Sequence, residues 1–317
     1  MSKSRIQSFL SSTRAIKRAI WLVVAALAIC LVVFGVYYVG DRYIHPEDRS
    51  PIELGIEQME QAIRREPQNP EVRLALAETY LAAGQYDEAF DQAGQVLALY
   101  PENARALLIA GMTSARLGRP EAALDPLNRF TALRKDEPMA NADQALEKAY
   151  YFLGESYVKL NRPAEAIPVL EAALVINHTD ADALYQLGLA HQATGQPQAA
   201  VECYHQAVRL VPDFVEVYQG MITSYSALGL PHPVVYARGM EAFCLQDYES
   251  AVRYLEQATT ALPNFAPAFL GIGLTYERMG NLDAALVAVQ RAYELDPHDF
   301  AAQQAMGRIR AALDSQN

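Results

Sequence analysis

Sulfur, indole and imidazole are scarce in this chain: three cysteines, one tryptophan and six histidines serve 317 residues. A disulfide-stapled fold needs cysteines in quantity, and a structural zinc site needs them in close pairs. Neither pattern is present. Cys30 stands inside a long apolar run, leaving Cys203 and Cys244 outside it. If the helices carrying these two lie parallel, their offset is about 9 Å at ~1.5 Å per residue, whereas a bridge wants Cα atoms about 4.4–6.8 Å apart. They are expected as packed thiols with no disulfide.

Basic residues are sparse beyond the N-terminus. Residues 1–40 hold Lys3, Arg5, Arg14, Lys17 and Arg18 and no acid, so of a formal net charge of −11 the remainder carries −16. A body that acidic is a poor match for phosphate backbones, and nucleic acid is not expected as a partner. P-loop, dinucleotide, H-E-x-x-H and nucleophile-elbow motifs are all missing. His191 and His205 are fourteen residues apart with no carboxylate set beside them, so each reads as a surface or core histidine. No catalytic residue, metal ligand, cofactor or small-molecule substrate is expected, and the chain reads as non-enzymatic.

Hydrophobic residues, by contrast, make up 51% of the chain. Residues 20–39 read IWLVVAALAICLVVFGVYYV without a charge, which as a helix would span roughly 30 Å, the thickness of a bilayer core. Trp21 lies at one end and Tyr37, Tyr38 and Tyr43 at the other, where interfacial rings belong. Basic residues precede the run, so the positive-inside bias predicts a short cytoplasmic tail at 1–19, a single transmembrane helix at 20–39, and everything after a linker at 40–51 outside the cytoplasm. A cleaved signal peptide is the competing reading. Its apolar region is usually about 7–15 residues and ends at small residues, whereas a cut after Gly40 would place Tyr38 at position −3.

From about residue 52 onward a 34-residue period emerges. In 181–214, two stretches with apolar or small residues at i, i+3, i+4 and i+7 flank Gly195-Gln196-Pro197, and Pro212 closes the unit. That pattern predicts helix–turn–helix. Leu187-Gly188, Ala200, Tyr204, Ala207 and Pro212 recur in place as Ile272-Gly273, Ala285, Ala292 and Pro297 in unit 266–299, and as Leu153-Gly154, Ala166 and Ala173 in unit 147–180. Units 70–103, 104–137 and 232–265 share the frame. Small residues at the eighth and twentieth places let paired helices approach within the usual 8–10 Å or so.

This pattern resembles the tetratricopeptide repeat, whose landmarks follow the same spacing. The resemblance implies an all-α right-handed superhelix, an α-solenoid. Its array would run over 52–231, with a half-repeat cap and a half unit at 215–231, and resume after a half-period slip over 232–317, ending in a capping helix at 300–314. Pro126 and Pro168 fall inside second helices and predict small kinks. The nine extra residues at 138–146 predict a longer first helix reaching back to about Ala142, capped by Asn141.

Family members usually hold their ligand on a concave face made by first helices. Carried over, that implies a protein- or peptide-binding groove at Tyr151, Glu155, Tyr185, Leu189, Gln192, Gln219 and Thr223, with Phe152, Lys159, Gln186 and Ser226 beside them. The Lys/Asn/Arg clamp of chaperone-binding members is missing at the matching places. Burial of several of these residues between units is the competing reading. The function implied is an anchored scaffold recruiting or assembling partner proteins at the non-cytoplasmic face. The alternative is an accessory subunit of one membrane complex, of the secretion, cytochrome-maturation, respiratory or photosynthetic kind.

Overall fold

A computed structural model describes Trp21, Val23, Val24, residues 27–35, Tyr38 and residues 50–315. Every described element is helical and no strand occurs among the described residues. Two units are distinguished, residues 1–72 and 73–317.

In the first unit the expected membrane span falls partly outside the described residues, as does the basic tail 1–19. Its longest described run is the helical stretch 27–35 (α1). Among the described residues no helix is long and apolar enough to cross a membrane. The expectation of a single-pass membrane protein, with residues 20–39 in the bilayer and the repeats outside the cytoplasm, is corrected on that ground. The cap helix α2 (Pro51–Arg65) is started by a capping box in which Ser50 Oγ accepts from the Glu53 N–H and Glu53 Oε2 from the Ser50 N–H.

The second unit is a solenoid of helix pairs. Its helices, after α3 (Pro70–Ala82) and α4 (Tyr86–Leu99), are α5 (Ala104–Arg116), α6 (Pro120–Arg134), α7 (Gln144–Lys159), α8 (Pro163–Ile176), α9 (Ala181–Ala193) and α10 (Pro197–Leu210). They continue as α11 (Val215–Ala227), α12 (Pro231–Cys244), α13 (Tyr248–Ala261), α14 (Ala266–Arg278), α15 (Leu282–Leu295) and α16 (Phe300–Asp314). From α4 to α16 each helix packs on the next, and α5–α7, α7–α9, α9–α11, α12–α14 and α14–α16 also touch; among the described residues no comparable contact joins second helices. First helices therefore form the crowded inner layer of the curve, as stacked repeats that bury faces only against neighbours require.

The eighth-place glycines do more than meet alanines. A methyl group on Gly220 would stand 2.5 Å from Tyr204 Cζ, and one on Gly188 closer still to the same ring. Tyr204 is the twenty-fourth residue of its unit. Leu127, Leu170, Leu255 and Val289 hold the same place and press on Gly111, Gly154, Gly239 and Gly273. Glycine on one helix is thus matched by bulk on its partner, a pairing the sequence landmarks alone did not expose.

The half-period slip is absorbed by α12. First helices end on a residue near φ −80°, ψ 0°, as at Leu160 (−83°, 6°) and Met279 (−81°, −4°), whereas second helices, apart from α6 before the insertion, end near φ −130°, ψ 80°, as at Asn177 (−131°, 88°). Leu228 before α12 (−81°, −5°) and Leu245 after it (−79°, 4°) are both of the first kind. The left-handed residue that follows is Gly229 at one end and Gln246, φ 63°, at the other. So α12 closes one pair and opens the next. One apolar cluster runs through it from Leu184 by way of Tyr218, Tyr236 and Leu255 to Ala288.

At the 138–146 insertion the expected cap is displaced. Asp143, not Asn141, starts α7, its Oδ1 accepting from the Ala145 and Leu146 N–H groups, and a 3-10 turn occupies Ala140–Ala142. Arg134 selects this register by donating to Asp143 Oδ2 at 3.0 and 2.8 Å. Burial opposes ionisation of Asp143, but the Arg134 guanidinium and the two N–H groups outweigh it and hold the carboxyl below the usual range. Asp143→Ala is expected to lower stability by about 1–2 kcal/mol at pH 7. Because a depressed carboxyl stabilises above its unfolded pKa and stops doing so once protonated, the gap from wild type should shrink by pH 3, read by urea unfolding at both values. Helices α6 and α8 each run as one element through Pro126 and Pro168.

Candidate functional site

The seven groove residues lie on three first helices, α7, α9 and α11, and divide by environment. Gln219 and Thr223 are exposed; Tyr151, Glu155, Tyr185, Leu189 and Gln192 are half-buried. Gln192 is committed internally, its Oε1 accepting from Tyr204 Oη and Ser224 Oγ, each at 3.2 Å. It ties α9 to α10 and α11. Tyr185 packs on Phe214 at 5.1 Å and Tyr204 at 6.2 Å between ring centroids; burial, then the nearby Glu216 carboxylate, pushes its phenol up. Glu155 pairs with Lys159 at 2.9 Å along one face of α7. Gln219 Nε2 donates to Glu241 Oε1 at 3.0 Å, and the Thr223 hydroxyl donates to its own helix at Gln219 O. Phe152 is buried, with the Arg116 guanidinium 5.0 Å over its ring.

Tyr151 leads to a feature that the sequence did not single out. It lines a cleft of about 400 Å³ together with Tyr86, Arg116, Glu147, Phe152 and Asp180. Glu147 is the first residue of its 34-residue unit, a place that gave no sign of function, yet it is only 8% exposed. Burial, then a hydrogen bond to the Asp180 carboxyl, pushes Glu147 up from the usual 4.5 to about 7. Asp180 also caps α9, its Oδ1 accepting from the Ala183 N–H at 3.0 Å. Asp182 is raised as well, by burial and then by Asp180. Tyr151 is held above the normal phenol range by burial first and by Glu155 and Asp182 next. The signal was there in principle, since acids one unit apart at 147, 180 and 182 are brought to one end of adjacent first helices by the 34-residue repeat.

Away from the cleft, the His205 imidazole Nε2 lies 2.7 Å from the Tyr225 hydroxyl and is driven down by burial. Cys203 and Cys244 are free thiols, pushed by burial to about 11 and about 12, well away from reactive thiolates at neutral pH. Among the described residues no three His, Cys, Asp or Glu side chains come together as metal ligands.

Family models described as tetratricopeptide repeat match residues 55–91, 80–138, 181–214 and 236–300, and one described as TPR repeat matches 154–195. Among curated proteins the chain is similar to the BBSome complex member BBS4 of Bos taurus, 26% identical over 171 residues, covering 54% of this chain and 31% of that protein. It is also similar to the CTR9 homolog of Arabidopsis thaliana, 21% identical over 249 residues, covering 77% and 21%. The chain thus spans less than a third of the length of these relatives. Among solved structures, MamA protein is 25% identical, with 60% of this chain and 94% of that one covered at a TM-score of 0.45. A tetratricopeptide repeat protein from Parabacteroides merdae is 16% identical, covering 86% and 97% at 0.46. Matched unit after unit between residues 55 and 300, the chain is built from tetratricopeptide repeats.

Proposed function

We propose that this chain is a non-catalytic scaffold that binds other proteins along the inner face formed by its first helices. The observation that carries this reading is the division of labour on that face. Gln192 and Tyr185 are half-buried and taken up in holding units together, while Gln219 and Thr223, though bonded to Glu241 and to the helix backbone, are exposed on that face and Tyr151 lines the cleft. Exposed amides and hydroxyls suit an extended peptide's backbone, and ring faces suit its anchors. The description of one curated relative as a BBSome complex member favours service inside a multi-subunit assembly. The groove therefore reads as five contact positions, Tyr151, Glu155, Leu189, Gln219 and Thr223, with Tyr185 and Gln192 as their supports.

A photoreactive amino acid placed at Gln219 in the full chain is expected to capture a defined set of proteins in cells. The same group at Val287, which is 72% exposed on a second helix, is expected to capture few. Equal capture from both positions would sink the inner-face assignment.

A further inference from the structure

In stacked repeats a first helix packs between its own second helix and the second helix of the unit before it. Leu187 and Ala190, seventh and tenth in their unit, cluster with Ala166 and Leu170 of the preceding α8, and Cys203, twenty-third, joins them. Leu76, Ala110, Leu153, Met221 and Ile272 hold the seventh place in other units, and all are buried. The eleventh place bonds across the same joint. Asn128 of α6 donates to the Tyr157 hydroxyl, the Tyr276 hydroxyl donates to Glu256 of α13, and His205 of α10 lies against Tyr225. Each of these partners is the twenty-fifth residue of the unit before.

The half-period slip breaks this rule at α12, which opens unit 232–265 directly after another first helix, α11. Tyr236, Met240 and Phe243 of α12 are buried in a cluster shared with Tyr218 and Met221 of α11. The side of α12 that would meet a preceding second helix stays open. An open cleft of about 320 Å³ lies there, lined among others by Arg238, Glu241, Ala242, Leu245 and Tyr254, which are the seventh, tenth, eleventh, fourteenth and twenty-third places. Where the other units bury an apolar seventh residue, this one exposes Arg238. Ala242 has no group with which to bond across the joint, and Leu245 is 63% exposed. Among the described residues Arg238 makes no hydrogen bond, ion pair or ring contact. Both acids at the cleft are engaged, Glu241 accepting from Gln219 and Asp247 from the Ser250 N–H.

We propose that this cleft receives an amphipathic α-helix of a partner protein, seated where other units have a preceding second helix and carrying a Glu or Asp opposite Arg238. Helix α15 shows what fits such a place. Its Ala285, Leu286 and Val289 pack at the joint with Ala305, Met306 and Ile309 of α16, Leu286 being twenty-first in its unit and Met306 seventh in the next. With Arg238 at the seventh place, an acid in the position of Leu286 makes a charge-assisted pair, while Leu245 and Tyr254 receive the apolar side of a helix lying in the groove. The cleft is built by α12 and α13, apart from the five inner-face contact positions, and the proposal does not rest on that reading.

The probe is a fluorescein-labelled peptide with the sequence of Leu282–Leu295 carrying Leu286→Glu, held helical by a lactam bridge on its outward side because so short a helix is marginal alone. The full chain is titrated into it and binding is followed by fluorescence anisotropy. Saturable binding is expected, and the same peptide with Leu286→Lys should bind about tenfold more weakly or worse. Arg238→Glu, a change at an exposed side chain, should reverse the order of the two peptides. Leu245→Ser should weaken the Leu286→Glu peptide about threefold or more while leaving its preference over the Leu286→Lys form. An unbridged form that also carries Val289→Pro cannot keep the helix and should bind about tenfold more weakly. Circular dichroism of each protein variant checks that the fold is retained. The proposal is overturned if binding does not saturate, if the glutamate and lysine peptides bind equally, if Arg238→Glu leaves their order unchanged, or if Leu245→Ser has no effect. Equal binding of the proline form would overturn it in favour of an extended acidic segment.

Discussion

Tyr204→Ala lowers the stability of the central array by about 3–5 kcal/mol, the range for emptying a buried aromatic site. The ring is fully buried and lies between Gly188 of α9 and Gly220 of α11, so its removal opens a cavity shared by two units. Its hydroxyl also donates to Gln192 Oε1, which accepts in turn from Ser224. The reverse change tests the same contact from the other side. A methyl at Gly188 or Gly220 is driven into a ring with no room to move, and each alanine substitution should cost about 1–3 kcal/mol. In the Tyr204→Ala background the cavity accepts that methyl, and the two costs should fail to add. Urea unfolding followed by helical circular dichroism, with amide exchange resolved on α9 to α11, measures each corner of the cycle. Equal costs of Gly188→Ala in both backgrounds would refute the close-approach explanation.

Glu147→Gln makes the protein more stable than wild type at pH 8 and no more stable at pH 4. In the folded chain Glu147 keeps its proton to about pH 7, whereas the unfolded chain releases it near 4.5. The folded state binds the extra proton between those values, so the stabilisation is complete below about pH 4.5 and is lost as pH rises through about 7. The shift from 4.5 to about 7 corresponds to about 3–4 kcal/mol at ~1.4 kcal/mol per pKa unit. Glutamine cannot ionise and escapes that loss. Chemical unfolding of both proteins from pH 4 to pH 8 should show curves that meet at the acidic end and diverge above pH 6. Parallel curves would mean that Glu147 titrates normally.

The helical pairs and their order were legible because small residues recur at fixed places and apolar residues follow helical spacing. The slip at 215–233 could also be read in outline. What the period could not reveal is which residue fills the space beside each glycine, because Leu127, Leu170, Tyr204, Leu255 and Val289 differ in kind and share only bulk. The Asn141 cap was misplaced for a related reason. Both Asn141 and Asp143 are good caps in isolation, and the choice is made by Arg134, nine residues before Asp143 in sequence and bonded to it in space. The membrane expectation rested on hydropathy alone, and no helix among the described residues is long enough to bear it. The surroundings of the proposed groove residues were not legible. Family register put these residues on first helices, but it could not tell Gln192, half-buried with its amide oxygen accepting from two neighbours, from Gln219, exposed and donating to Glu241. Glu147 escaped notice because a lone acid at a helix start normally reads as a favourable dipole partner, and only the fold brings Asp180 against it.

The inner face is tested most directly by hydrogen–deuterium exchange of the full chain alone and with a partner recovered through the Gln219 crosslinker. Slowed exchange confined to α5, α7, α9 and α11 is the expected result. Protection falling on α6, α8 and α10 with those four helices unchanged would contradict it.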